Sequence, residues 1–180
     1  LQAESLGMHT TLGLAGTGAV TIKPLSTSFS AGFNTTGLNF GANISGLTLG
    51  KEGNTANLTV DTSDIAIAGP IAVYAGDITL NRKLAATGAN TITLKASGSI
   101  TDGNGTAGYV SADKLLLLGG NVTLDGVNNA VGTLAASGVG SLTYVDSDAL
   151  TTGTVGSTDG ISATGTVNIG TKTGDLTVAR

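Results

Sequence analysis

The chain has 180 residues, a formal net charge of −4, 40% hydrophobic residues, 11% charged residues and 3% aromatics. Low charge beside plentiful aliphatics excludes an intrinsically disordered segment, which needs the reverse. Eight scattered basic residues give no footprint for nucleic acid or an anionic membrane surface, and the absence of cysteine excludes disulfides and thiol chemistry. No stretch approaches the ~18 apolar residues of a membrane-spanning helix. With few aromatics and 29 glycines, the core must be thin and filled by Val, Ile, Leu and Ala.

In chain order, residues 1–17 are weakly patterned and contain the lone histidine, His9. The first clear unit is Gly18-Ala19-Val20-Thr21-Ile22, closed by Pro24, which cannot donate to a strand ladder and so belongs at a strand end. Residues 25–46 are looser and hold all three phenylalanines, Phe29, Phe33 and Phe40. Residues 1–46 are therefore read as irregular N-terminal coils or a partial cap, in one continuous domain with residues 47–180.

From Leu47 onward a short unit recurs: a turn residue, an aliphatic, Thr, an aliphatic. It appears as Leu47-Thr48-Leu49, Leu58-Thr59-Val60, Gly76-Asp77-Ile78-Thr79-Leu80, Ile92-Thr93-Leu94, Gly120-Asn121-Val122-Thr123-Leu124, Gly140-Ser141-Leu142-Thr143-Tyr144 and Gly174-Asp175-Leu176-Thr177-Val178. In a strand the two aliphatics face one way and the Thr the other. Such short strands cannot bury themselves alone, so the copies must stack. Thr59 and Thr79 lie 20 residues apart, as do Thr123 and Thr143. Coils of about 20–25 residues give about eight rungs spaced ~4.8 Å, a rod near ~40 Å. No window carries an apolar helical face, and Gly, Thr, Asn and β-branched residues suit short strands and tight turns. The expected fold is all-β: a parallel β-helix of about eight short coils over residues 47–180, with a sandwich of strands as the competing arrangement.

The units Gly-Asp-Ile-Thr-Leu-Asn (76–81), Ala-Ser-Gly-Ser-Ile-Thr-Asp (96–102), Gly-Gly-Asn-Val-Thr-Leu (119–124) and Asn-Asn-Ala-Val-Gly-Thr-Leu-Ala-Ala (128–136) resemble the filamentous-haemagglutinin type of bacterial adhesin. The resemblance covers roughly residues 47–180 and is a repeat signature rather than a catalytic motif. It implies a right-handed parallel β-helix secreted by the two-partner route, and a role as the shaft of a cell-surface adhesin. The missing initiator Met and the repeat running up to Arg180 suggest a segment of a longer chain.

The residues give little support to catalysis, and no catalytic, cofactor-binding or metal residue is assigned. Polysaccharide-cleaving β-helices gather carboxylates on one face, whereas the acids here are spread thinly. Asp61 with Asp64 and Asp146 with Asp148 are the near pairs, the second spaced to share a strand face. Asp102-Gly103-Asn104-Gly105-Thr106 lacks the alternating carboxylates and closing Glu of a calcium loop, and Gly13-Leu14-Ala15-Gly16-Thr17-Gly18 precedes no phosphate-binding helix. Asn128 and Asn129 are expected to join an internal amide ladder. Thr-x-Thr pairs at Thr91/Thr93 and Thr164/Thr166 are too sparse for a regular ice-recognising array, and the sequons at Asn34, Asn43, Asn57, Asn104 and Asn121 are weak evidence of glycosylation in so Thr-rich a chain. Ligand contact is expected at loops 50–56, 102–109 and 125–130, since loops on rigid scaffolds carry binding. The expected partners are a host or cell-surface glycan or protein, together with self-association through open coil ends. The alternative is a self-assembling surface fibre or layer subunit.

Overall fold

The computed structural model describes residues 1–5, 11–103 and 105–179, and all regular structure among them is β. Met8 and His9 lie outside the described residues, as do Asn104 and Arg180. The chain winds as a β-solenoid of about eight turns, each contributing strands to three stacked columns. The first face runs Val20–Ile22, Leu47–Leu49, Ile71–Ala75, Thr91–Ala96, then the second halves of Val110–Leu118 and Ala130–Val139, and Ile161–Ala163. The second face is a seven-stranded column: Phe33–Asn34, Leu58–Val60, Ile78–Leu80, Ser99–Asp102, Asn121–Leu124, Leu142–Asp146 and Val167–Thr171. The third comprises Leu12–Leu14 beside Leu38–Phe40, then Ile65–Ile67, Leu84–Ala86, the first halves of the two long strands, Leu150–Thr152 and Leu176–Val178.

Every strand pairing between coils is parallel. Side-chain hydrogen bonds from one coil to the next therefore join residues far apart in sequence, from 15 positions for Val131 with Asp146 to 28 for Ala56 with Ser28. The repeated unit explains the register. On the second face Leu58, Ile78, Ile100, Val122 and Leu142 stack in one inner row, and all are buried. One residue later, Thr59, Thr79, Thr101, Thr123 and Thr143 stack in an outer row. Period-two alternation fixes this sorting, because a one-residue slip would turn the whole aliphatic row to solvent. The inner rows of all three faces merge into one continuous core running from Ile22 to Leu150.

The glycine that opens each unit has a packing role. Gly76, Gly98, Gly120, Gly140 and Gly165 form a corner column, with Gly98 N–H donating to Gly76 O (2.8 Å), Gly140 N–H to Gly120 O (2.7 Å) and Gly165 N–H to Gly140 O (2.7 Å). A Cβ at Gly76 would fall 2.2 Å from the Thr55 carbonyl oxygen in the coil below. The corner leaves no room for a side chain.

Two departures from the short-strand repeat stand out. Val110–Leu118 and Ala130–Val139 run through the corner between the third and first faces without a turn. The antiparallel pair among the described residues is a hairpin, Thr154–Val155 with Thr158–Asp159, turned at Gly156. It folds over Ala130–Val139 on the outside of the solenoid, burying Val155 and the otherwise outward-facing Ala135.

Substituting Gly76→Ala should lower stability by about 1–3 kcal/mol, the usual cost of forcing a methyl into filled space. Gly170→Ala, where nothing lies within 4 Å, should leave the denaturation midpoint nearly unchanged. Thermal or urea melts of the two variants make the comparison.

Candidate functional site

The three loops expected to carry contacts occupy two corners. The described residues of loop 102–109 stack with loop 125–130 on adjacent coils between the second and third faces. Gly126 N–H donates to Asp102 Oδ2, and Asn128 Nδ2 donates to Thr106 O at 2.8 Å. Burial and the neighbouring Asp125 charge raise the Asp102 carboxyl above its ordinary range, against the lowering effect of the Gly126 N–H. Loop 50–56 lies at the opposite corner, between the first and second faces, and is not joined to the other two.

Loop 50–56 borders a notch of about 170 Å³ lined by Glu52, Asn54, Thr55, Tyr74, Lys95 and Ser97, among others. Its floor is held by Asn54, which is buried although its sequence context marks a surface loop. Asn54 Nδ2 donates to Tyr74 O (2.8 Å), while its Oδ1 accepts from Phe29 N–H (3.1 Å) and Ser28 Oγ (2.9 Å). One amide thus ties three coils together. Across the mouth, Lys95 forms an ion pair with Glu52.

Asn129 is also internal, but it builds no amide ladder. Its Nδ2 donates to Leu124 O (3.0 Å), Gly126 O (2.9 Å) and Val145 O (3.1 Å), and its Oδ1 accepts from Val110 N–H at 3.0 Å. The partners are main-chain groups left over where the coil turns, which a buried amide can satisfy without a second Asn. Asn128 sits outside, on the surface.

The carboxylates of Asp146 and Asp148 are not brought to one face. The strand Leu142–Asp146 ends at Asp146, so the chain turns before Asp148 and leaves it exposed. Asp146 is fully buried, in line with the inward Leu142 and Tyr144. Its Oδ2 accepts from Tyr144 Oη (2.7 Å) and Val131 N–H (3.0 Å), and its Oδ1 from Asp148 N–H (3.2 Å). Burial raises its pKa from 3.8 to about 6, despite the lowering effect of the Tyr144, Asp148 and Val131 donors. Burial also lifts the Tyr144 phenol well above its ordinary range, reinforced by the Asp146 charge. Asp61 is half-buried and Asp64 exposed, and the Asp61 carboxylate Oδ1 accepts from Thr62 N–H at 2.8 Å.

The outer threonine row is only partly legible as separate Thr-x-Thr pairs. Its regularity lies across coils rather than along one strand. Comparison with known protein families, curated proteins and solved structures finds no match for this chain.

Two outcomes test these polar anchors. Asn129→Ala should cost about 3 kcal/mol or more, because it orphans several buried main-chain groups at once; equilibrium urea unfolding reads it. For Asp146, the folded-state pKa lies above the ordinary value, so the folded state holds the proton more tightly than the unfolded chain. Its contribution should be most favourable below about pH 4 and fall as pH rises to about 6, by on the order of 3 kcal/mol in all. Asp146→Asn should remove that slope and raise the melting temperature at pH 8 relative to the native chain.

Proposed function

We propose that this chain is a shaft segment of a secreted, filamentous-haemagglutinin-like bacterial cell-surface adhesin. The observation that carries the reading is the in-register parallel stacking of Gly-x-aliphatic-Thr-aliphatic units over successive coils, with loops projecting at the corners. Such a column is stiff along its axis because every coil is hydrogen-bonded and packed to the next. It holds loops 50–56, 102–109 and 125–130 away from the cell, where weak contacts to a host glycan or protein add by avidity. The reading makes the protein a binding and structural component rather than an enzyme, acting outside the cell.

Beads covalently coated with the 180-residue chain should attach to epithelial cells well above albumin-coated beads, and the free chain should compete only weakly. Attachment no greater than that of albumin beads would contradict an adhesive role.

A second reading, a self-assembling fibre or layer subunit, draws on the exposed apolar side chains Val167, Leu176 and Val178. It requires sedimentation coefficients that rise with concentration, and that rise should vanish in Val178→Lys. A concentration-independent monomer favours the adhesin shaft.

A further inference from the structure

We propose that the notch beside loop 50–56 is a subsite for a single uncharged sugar ring, which gives the adhesive reading its ligand class and rests on it. The construction begins with Tyr74. In Ile71–Ala75 the alternation puts Ile71, Val73 and Ala75 inside and Tyr74 outside. Its neighbour on one side is Lys95. On the other side, next to the paired Leu49 and Val73, stands Gly50. Gly50 has φ of +76°, and a Cβ there would meet the Tyr74 carbonyl oxygen at 2.2 Å, so the position beside the ring carries no side chain.

Lys95 passes its neighbour Tyr74 to pair with Glu52, two coils away. Both side chains remain substantially exposed, 42% for Lys95 and 69% for Glu52. The hydroxyls of Ser97 and Tyr74, two residues that line the notch, have no hydrogen-bond partner among the described residues. The notch thus offers an aromatic wall, a carboxylate acceptor, an ammonium donor and two unengaged hydroxyls within about 170 Å³. A notch of that size suits a single ring-sized ligand.

A pyranose matches this chemistry. Its C–H face packs on an aromatic ring, and its hydroxyls both donate and accept. Glu52 can accept from one hydroxyl while Lys95 donates to its neighbour. The mutual neutralisation of Glu52 and Lys95 selects an uncharged sugar, because an acidic sugar would have to displace Glu52 from its cation. One shallow subsite supplies millimolar affinity, which multivalent display raises.

Chemical-shift titration of the ¹⁵N-labelled chain provides the test, using methyl glycosides of glucose, galactose, mannose and N-acetylglucosamine, with sialic acid as the acidic comparison. At least one neutral glycoside should give saturable shifts in the millimolar range, confined to residues 52–55, 74–75 and 95–97. Tyr74→Ala and Glu52→Ala should each weaken that binding about tenfold while keeping the native circular-dichroism spectrum, and Thr123→Ala on the second face should leave it unchanged. Absence of saturable shifts, shifts elsewhere, undiminished binding in Tyr74→Ala, or tighter binding of sialic acid would each overturn the proposal. Bead attachment separates the two readings. Bead attachment without saturable sugar shifts removes this subsite but not the adhesive role, whereas sugar binding without bead attachment removes the adhesive role alone.

Discussion

The parallel ladder between coils is the interaction on which everything else depends. A three-residue strand such as Ile78–Leu80 has no stability of its own, and it gains its hydrogen bonds only from Leu58–Val60 on one side and Ser99–Asp102 on the other. Register then decides chemistry. When Ile78 stacks on Leu58 and under Ile100, the aliphatic core closes and Thr79 is carried outward automatically. The glycine column at the corner obeys the same constraint, since successive coils approach there to within main-chain hydrogen-bonding distance.

The cost of this architecture falls at the corners, where the backbone leaves the ladder and its polar groups lose partners. Three buried polar side chains answer it. Asn54 bridges its coil to Tyr74 and Phe29, Asn129 collects three carbonyls and one N–H, and Asp146 accepts from Val131 and Tyr144. The two amides do this without charge. Asp146 does it at the expense of a buried carboxylate, so it is the one of the three whose contribution depends on pH.

Much of the fold is legible in the sequence because the repeat encodes the register directly. The 20-residue interval between Thr59 and Thr79, and again between Thr123 and Thr143, is the distance between hydrogen-bonded neighbours. Less legible are features that break the repeat. The sequence shows an aliphatic run at Leu115–Leu118, but the strand begins at Val110, because the residues between carry no turn signal to the corner they cross. The hairpin at Thr154–Asp159 lacks the alternating apolar flanks that announce a hairpin; it buries its one aliphatic, Val155, and Thr154 Oγ1 donates across it to Asp159 Oδ1 at 2.8 Å. Pairing Asp146 with Asp148 on one surface misplaces Asp146. The alternation Leu142, Tyr144, Asp146 already assigns it to the inner row, and a stricter count by twos finds it there. Asn54 gives no such signal, since its loop, Gly50 to Asn54, reads as solvent-exposed throughout.

Register is therefore the claim to test most directly, and a chain without cysteine permits a clean measurement. Cysteines placed at Thr79 and Thr101, paired neighbours in the outer row, stand about 4.8 Å apart by the strand spacing, within disulfide reach. Cysteines at Thr79 and Thr123 are separated by two rungs, about 9.6 Å, and lie beyond it. Mild oxidation of the folded monomer should cross-link the Thr79→Cys/Thr101→Cys variant and leave Thr79→Cys/Thr123→Cys reduced. Equal cross-linking of both, or of the distant pair alone, would contradict the stacked-coil account.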